Sequence, residues 1–152
     1  MIVQSTQFGE LNVSEEQVLK FPEGLPGFPE ERTFALVSYG DDSPFAILQS
    51  VTEPELAFLL AETFVFFPDY AFELDDQLAA QLGFSPENLP RFFSILNVQG
   101  SLANTTANLA APLVVNWQAR TAVQVVLERT SYTTRHPLLS GTPPTEQVGG
   151  GK

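Results

Sequence analysis

The chain of 152 residues has no cysteine. Disulfides, thiolate catalysis and thiolate zinc sites are therefore excluded, as suits a reducing compartment. Basic side chains are scarce, seven Lys and Arg against eighteen Asp and Glu, for a net charge of −11. An acidic surface repels phosphate backbones, which argues against direct binding to nucleic acid, whereas a basic protein partner would be attracted and steered; the alternative is an acidic surface that serves solubility alone. The deficit is uneven, since Lys20 and Arg32 are the only bases in residues 1–90. Long hydrophobic runs are missing too. The strongest, Leu56–Phe67, is interrupted by Glu62 and is too short to span a bilayer. The N-terminus pairs no basic region with an apolar run, so no secretory leader and no membrane association are expected.

Histidine occurs once, at His136, which leaves a histidine metal site without partners and gives it a structural or solvated role. A serine hydrolase would need that histidine as base, and no Gly-x-Ser-x-Gly elbow accompanies it. Gly149-Gly150-Gly151-Lys152 lacks the spacing and the Ser/Thr of a phosphate loop. Asp41-Asp42 reads as a turn, and Asp75-Asp76 as the capped start of a helix. These residues point away from an enzyme, and neither a cofactor nor a metal is expected.

What is abundant is phenylalanine, with thirteen residues, together with twelve prolines and ten glycines. With many β-branched residues, this composition predicts an all-β chain of short strands. The most constrained stretch is Phe21-Pro22-Glu23-Gly24-Leu25-Pro26-Gly27-Phe28. Its prolines and glycines exclude a helix or central strand, and its apolar residues need cover. It is read as a stiff loop pinned to a core. Residues 14–20 are taken as extended, although Ser14 with Gln17 also matches a capping box. Strands are expected at Ile2–Thr6, Arg32–Tyr39, Phe45–Val51, Leu56–Ala61, Phe92–Gln99 and Ala122–Leu127, and along Thr105–Val115, where Pro112 implies an edge position or a bulge. Residues 33–51 and 105–127 each suggest a hairpin. One helix is predicted after Asp75, with Leu74, Leu78 and Leu82 on one face and Gly83 as its stop. Pro86 could open a further helical turn. In Phe92–Gln99, Phe93, Ile95 and Asn97 share one face, and Phe92, Ser94, Leu96 and Val98 the other. Asn108, Asn116 and Gln124, set in apolar runs, are expected to bond loop or bulge backbone, with direct contact to a partner as the alternative. Together these elements give a compact antiparallel β-barrel-like domain with one short helix over residues 1–140, followed by a flexible Gly/Pro-rich tail at 141–152.

Several blocks in order resemble the FliW family of flagellar assembly factors. Phe21–Phe28 is similar to its F-x-x-G-L-P-G-F signature. Pro44-Phe45, Leu48-Gln49-Ser50, Leu56-Ala57-Phe58 and Phe67-Pro68-Asp69-Tyr70 follow in the family's order. Asn108–Asn116 matches its N-L-x-A-P block, Gln124–Leu127 its Q-V-x-L block, and Tyr132, Arg135, Pro137 and Leu138 its closing Y-x-x-R-x-P-L. The likeness covers about residues 2–139. One departure is Thr63, where the family often has proline.

The resemblance implies a cytoplasmic, non-enzymatic regulator with a β-barrel-like fold. It implies binding to newly made flagellin and to the RNA-binding translational regulator CsrA, whose repression of flagellin translation the factor relieves. Glu53, Glu55 and Asp69, beside strand ends, are the acidic contact candidates. Leu25 and Phe28 are the apolar ones, each with packing in the core as its alternative. A second reading is a small-ligand-binding barrel, or an enzyme with an unrecognised pocket, suggested by the Phe-rich interior.

Overall fold

The structure, a computed structural model, describes residues 1–40, 42–71, 74–127 and 130–139. The tail expected at 141–152 and Asp41 of the acid pair lie outside the described residues.

The described residues form eleven strands: β1 (Ile2–Ser5), β2 (Gly9–Asn12), β3 (Val18–Lys20), β4 (Thr33–Ser38), β5 (Phe45–Ser50), β6 (Ala57–Glu62), β7 (Arg91–Gln99), β8 (Ser101–Ala107), β9 (Leu113–Asn116), β10 (Thr121–Gln124) and β11 (His136–Pro137). Strands β3 to β7, β9 and β10 close into a seven-stranded barrel in the order β3-β4-β5-β6-β7-β9-β10. Six of its seven contacts are antiparallel, and the seventh, β10 on β3, is parallel. The expected barrel is thus present, fully closed, with this one parallel join.

Side-chain alternation sorts the strands into an inner and an outer layer. Phe34 and Leu36 of β4, Ala46 and Leu48 of β5, Leu60 of β6, Phe93 of β7, Leu113 and Val115 of β9 and Ala122 of β10 fill the interior, with Leu19, Phe21 and Leu25. The alternate residues face outward. Ala35 of β4 packs under the β1–β2 hairpin against Val3 and Val13. Ala61 of β6 and Leu96 of β7 meet Tyr70, Ala107, Leu109 and Leu138. The predicted division of β7 holds, since Phe93 and Ile95 pack on the interior while Leu96 belongs to the outer cluster.

The β4–β5 and β9–β10 hairpins form as the sequence suggests. Residues 105–115, expected as one strand, are two: β8 ends at Ala107 and β9 begins at Leu113. Asn108 makes the break, its Oδ1 accepting from the amides of Ala110 and Ala111, both at 3.1 Å. Residues 14–20 combine both readings. Glu15–Gln17 is a 3-10 turn in which the Ser14 amide donates to Gln17 Oε1 at 2.8 Å, and β3 follows.

Helix α1 (Thr63–Phe66) is a single turn that the sequence reading did not include. Its start coincides with the family departure: Thr63 is buried, its Oγ1 2.8 Å from Ser94 Oγ. Helix α2 (Asp76–Gln81) is the predicted helix, capped by Asp75 Oδ1, which accepts from the Gln77 amide at 2.8 Å. Gly83 ends it at φ +84°. After Pro86 there is no helical turn; Ser85 and Asn88 bridge through paired backbone hydrogen bonds.

Asn116 ties α2 to the barrel. Its Nδ2 donates to the Leu82 carbonyl at 2.6 Å, and its Oδ1 accepts from the Ala119 amide at 3.0 Å and from Asn88 Nδ2 at 3.1 Å. The side chain is buried, so truncation strands polar groups away from water. Asn116→Ala is expected to lower stability by about 2 kcal/mol, measured as a lower midpoint in urea unfolding, whereas Gln118→Ala in the exposed turn leaves the midpoint unchanged.

Candidate functional site

Two surfaces gather the residues singled out in the sequence. The first lies where β3 leads into β4 and β5 into β6. Phe21 is fully buried, edge-to-face with Phe34 at 5.2 Å, and its amide donates to the Arg32 carbonyl at 2.8 Å. Leu25 and Phe28 bridge through backbone hydrogen bonds of 3.3 and 2.7 Å. Gly24 has φ +68°, and a Cβ there would come within 2.6 Å of the Pro29 carbonyl oxygen, so this position needs glycine for two reasons.

The loop separates its two apolar candidates. Leu25 is 3% exposed and belongs to the barrel core, where it anchors the loop. Phe28 is 42% exposed and rests edge-to-face on Phe58 at 6.1 Å. Of the two, Phe28 is the one a partner can touch.

The neighbouring turn is held from beneath by Gln49, a buried residue given no role at the outset. Its Nε2 faces the carbonyls of Ser50, Glu53, Pro54 and Leu56 at 3.1 to 3.3 Å. Ser50 Oγ accepts from the Glu53 amide at 3.0 Å. Glu31 joins loop to turn, its Oε2 accepting from Ser50 Oγ at 3.1 Å and Thr52 Oγ1 at 2.9 Å. Glu53 and Glu55 are exposed on this turn. Glu23, Glu30 and Glu31 are on the loop that carries Phe28, so five carboxylates stand on this loop and the turn that Glu31 ties to it, with Lys20 and Arg32 as the bases nearest in sequence. The Arg32 Nε donates to the Pro29 carbonyl at 3.3 Å, and the one ion pair among the described residues is Arg91–Glu62.

Asp69 is not part of this group. It follows α1, beyond the far end of β6, and six strand residues span about 20 Å. It lines a second feature, an open cleft of about 380 Å³ between Phe66–Tyr70 and Tyr132–Leu138, with Leu109 in its wall. The Tyr70 hydroxyl donates to the Leu109 carbonyl at 2.8 Å, and the Ala71 amide donates to Tyr132 Oη at 3.0 Å. The rings of Tyr70 and Tyr132 lie 4.6 Å apart, and His136 is 5.8 Å from Tyr132. His136 thus has an aromatic setting, and its Nε2 is buried without a hydrogen-bond partner among the described residues. Burial, with Tyr132 beside it, pushes the Tyr70 phenol well above its ordinary pKa. Sequence reasoning missed the cleft because its walls come from segments some sixty residues apart; the only local signals were Tyr70 and Tyr132 inside the two family blocks.

A filled seven-stranded barrel with short helical turns defines a closed β-barrel domain. The family model described as FliW protein matches residues 2–138. A flagellar assembly factor FliW of Desulfitobacterium hafniense (strain Y51) is 42% identical over 152 residues, covering all of both chains. That of Bacillus subtilis (strain 168) is 41% identical over 138 residues, covering 91% of this chain and 96% of its own. A crystal structure of the flagellar assembly factor FliW superposes with a TM-score of 0.80 at 39% identity, covering 92% of this chain and 98% of that one. The chain belongs to the FliW family.

Two outcomes follow from this geometry. Gly24→Ala should destabilise clearly more than Gly27→Ala, which has open space around it and carries only the left-handed penalty of about 1 kcal/mol; thermal melts of the pair measure the difference. Tyr70 should remain protonated in alkaline solution until the fold opens. Its raised folded-state pKa contributes stability that is complete below the unfolded value of about 10 and is lost as pH rises beyond it. Phenolate absorbance should show one tyrosine ionising only with unfolding, a step that Tyr70→Phe removes.

Proposed function

We propose that the protein acts in flagellum assembly by binding newly made flagellin and by antagonising a CsrA-type RNA-binding regulator, so that repression of flagellin translation is relieved. The observation that carries this reading is membership of the FliW family along nearly the whole chain. The relatives are named as assembly factors and not as enzymes, in keeping with a non-enzymatic role. Each complex lowers the free pool available to the other partner, which makes the pair a switch. Among the described residues no helix is long and apolar enough to cross a membrane, and a cytoplasmic site of action suits both partners.

The carboxylate-framed end around Phe28 is the surface best suited to the basic partner. A protein that binds RNA phosphates carries cationic surface, which five carboxylates with a net charge of −11 would attract. Phe28 with Phe58 supplies an apolar centre inside that polar rim, the arrangement common to protein interfaces. The alternative of a ligand-holding barrel would need a lumen, and here Phe21, Phe34, Leu48, Leu60 and Leu113 occupy it.

Purified flagellin and a CsrA-type protein should each bind this chain, and flagellin in excess should lower the amount of CsrA-type protein captured. Binding to neither would reject the proposal. The association rate with the CsrA-type protein should fall as salt rises, and charge reversal at Glu53 and Glu55 should lower it about tenfold. A rate indifferent to both would clear the two glutamates.

A further inference from the structure

We propose that the cleft beside Asp69 is a binding site for an arginine side chain presented by a protein partner. This goes beyond the function proposed above and does not depend on it.

The chemistry of the walls singles out this ligand. The Tyr70 hydroxyl donates to the Leu109 carbonyl, and the Tyr132 oxygen accepts from the Ala71 amide. Phe67, Tyr70, Tyr132 and His136 line the cleft and bring their rings to it. Their neighbouring rings lie 4.6 to 6.4 Å apart, a cluster in which π-faces and edges converge. Aromatic faces attract cations, and a guanidinium, planar and weakly hydrated, stacks on them better than an ammonium does.

Charge selects the same group. Asp69 is the one acidic residue lining the cleft among the described residues, and it is exposed. Two carboxylate oxygens match the fork of a guanidinium, while the rings and Leu138 cover the methylene stem. Among the described residues no base lines the cleft; Arg135, next to His136 in sequence, is not among those lining it. The net charge of −11 raises the local concentration of cations at any such site. A volume of about 380 Å³ leaves room for one long side chain and its attached backbone.

The test is a titration of the full-length chain with N-acetyl-arginine amide at constant ionic strength, followed by proton NMR. His136 is the only histidine, so its ring protons report on the cleft without assignment ambiguity. Saturable shifts of the His136 ring are expected, with a millimolar dissociation constant. Asp69→Asn, at an exposed position, should weaken binding about fivefold without changing the melting temperature. The citrulline analogue, of the same shape but uncharged, should produce no saturable shift. Absence of saturable shifts with the arginine probe would overturn the proposal, as would equal binding of the citrulline analogue or unchanged affinity in Asp69→Asn. Equal affinity for N-acetyl-lysine amide would overturn the assignment to arginine.

Discussion

The barrel closes through a short parallel contact between β3 and β10, in which Thr121 stands opposite Lys20 and the Lys20 amide donates to the Arg120 carbonyl at 2.9 Å. Every other join in the ring is an antiparallel ladder of at least three residue pairs. Closure turns one face of each strand into a sealed interior for the phenylalanines and leucines, and it leaves no free edge within the ring. It also sets where the chain must leave the ring. The Phe21–Arg32 loop departs from the end of β3 directly beside this join, which is why its stiffness matters. A loop free to splay would loosen Phe21 and Leu25 together with the strand that completes the circle.

Amides and hydroxyls in apolar surroundings do much of the shaping outside the ladders. Gln49 gathers the carbonyls of the β5–β6 turn, Asn108 ends β8, Asn116 secures α2, and Gln124 Nε2 donates to the Ala111 carbonyl at 3.0 Å. Each satisfies backbone groups that a loop would otherwise bury without partners. All four lie in the blocks that carry the family resemblance. Those blocks therefore describe how the barrel is built more than what it binds. The exposed carboxylates around Phe28 and at Asp69 stand on loops that this framework holds in place.

Features written in local chemistry were legible in the sequence. The β4–β5 and β9–β10 hairpins, the alternation of β7, the Asp75 cap and the Gly83 stop each depend on residues within a few positions of one another. The expected backbone bonding of Asn108, Asn116 and Gln124 was equally readable. Other features depend on distant partners. Phe64–Phe67 has strand-like composition, yet residues 63–66 form a helical turn with Thr63 bonded to Ser94. Residues 101–104, polar or small apart from Leu102, become strand because the turn at Gly100 returns them alongside β7. Of the five site candidates, the structure places Phe28, Glu53 and Glu55 at one end of the barrel, buries Leu25 and moves Asp69 to the cleft. Spacing along the chain could not separate them, because that division depends on which strand end each loop serves.

The central claim is that the carboxylate-framed end around Phe28 is where the basic partner docks. Amide hydrogen exchange of this chain with and without a purified CsrA-type protein tests it most directly. The account predicts added protection in residues 21–32 and 51–56, with the β1–β2 hairpin unchanged. Protection confined to the β1–β2 hairpin, with residues 21–32 and 51–56 exchanging as in the free protein, would contradict it.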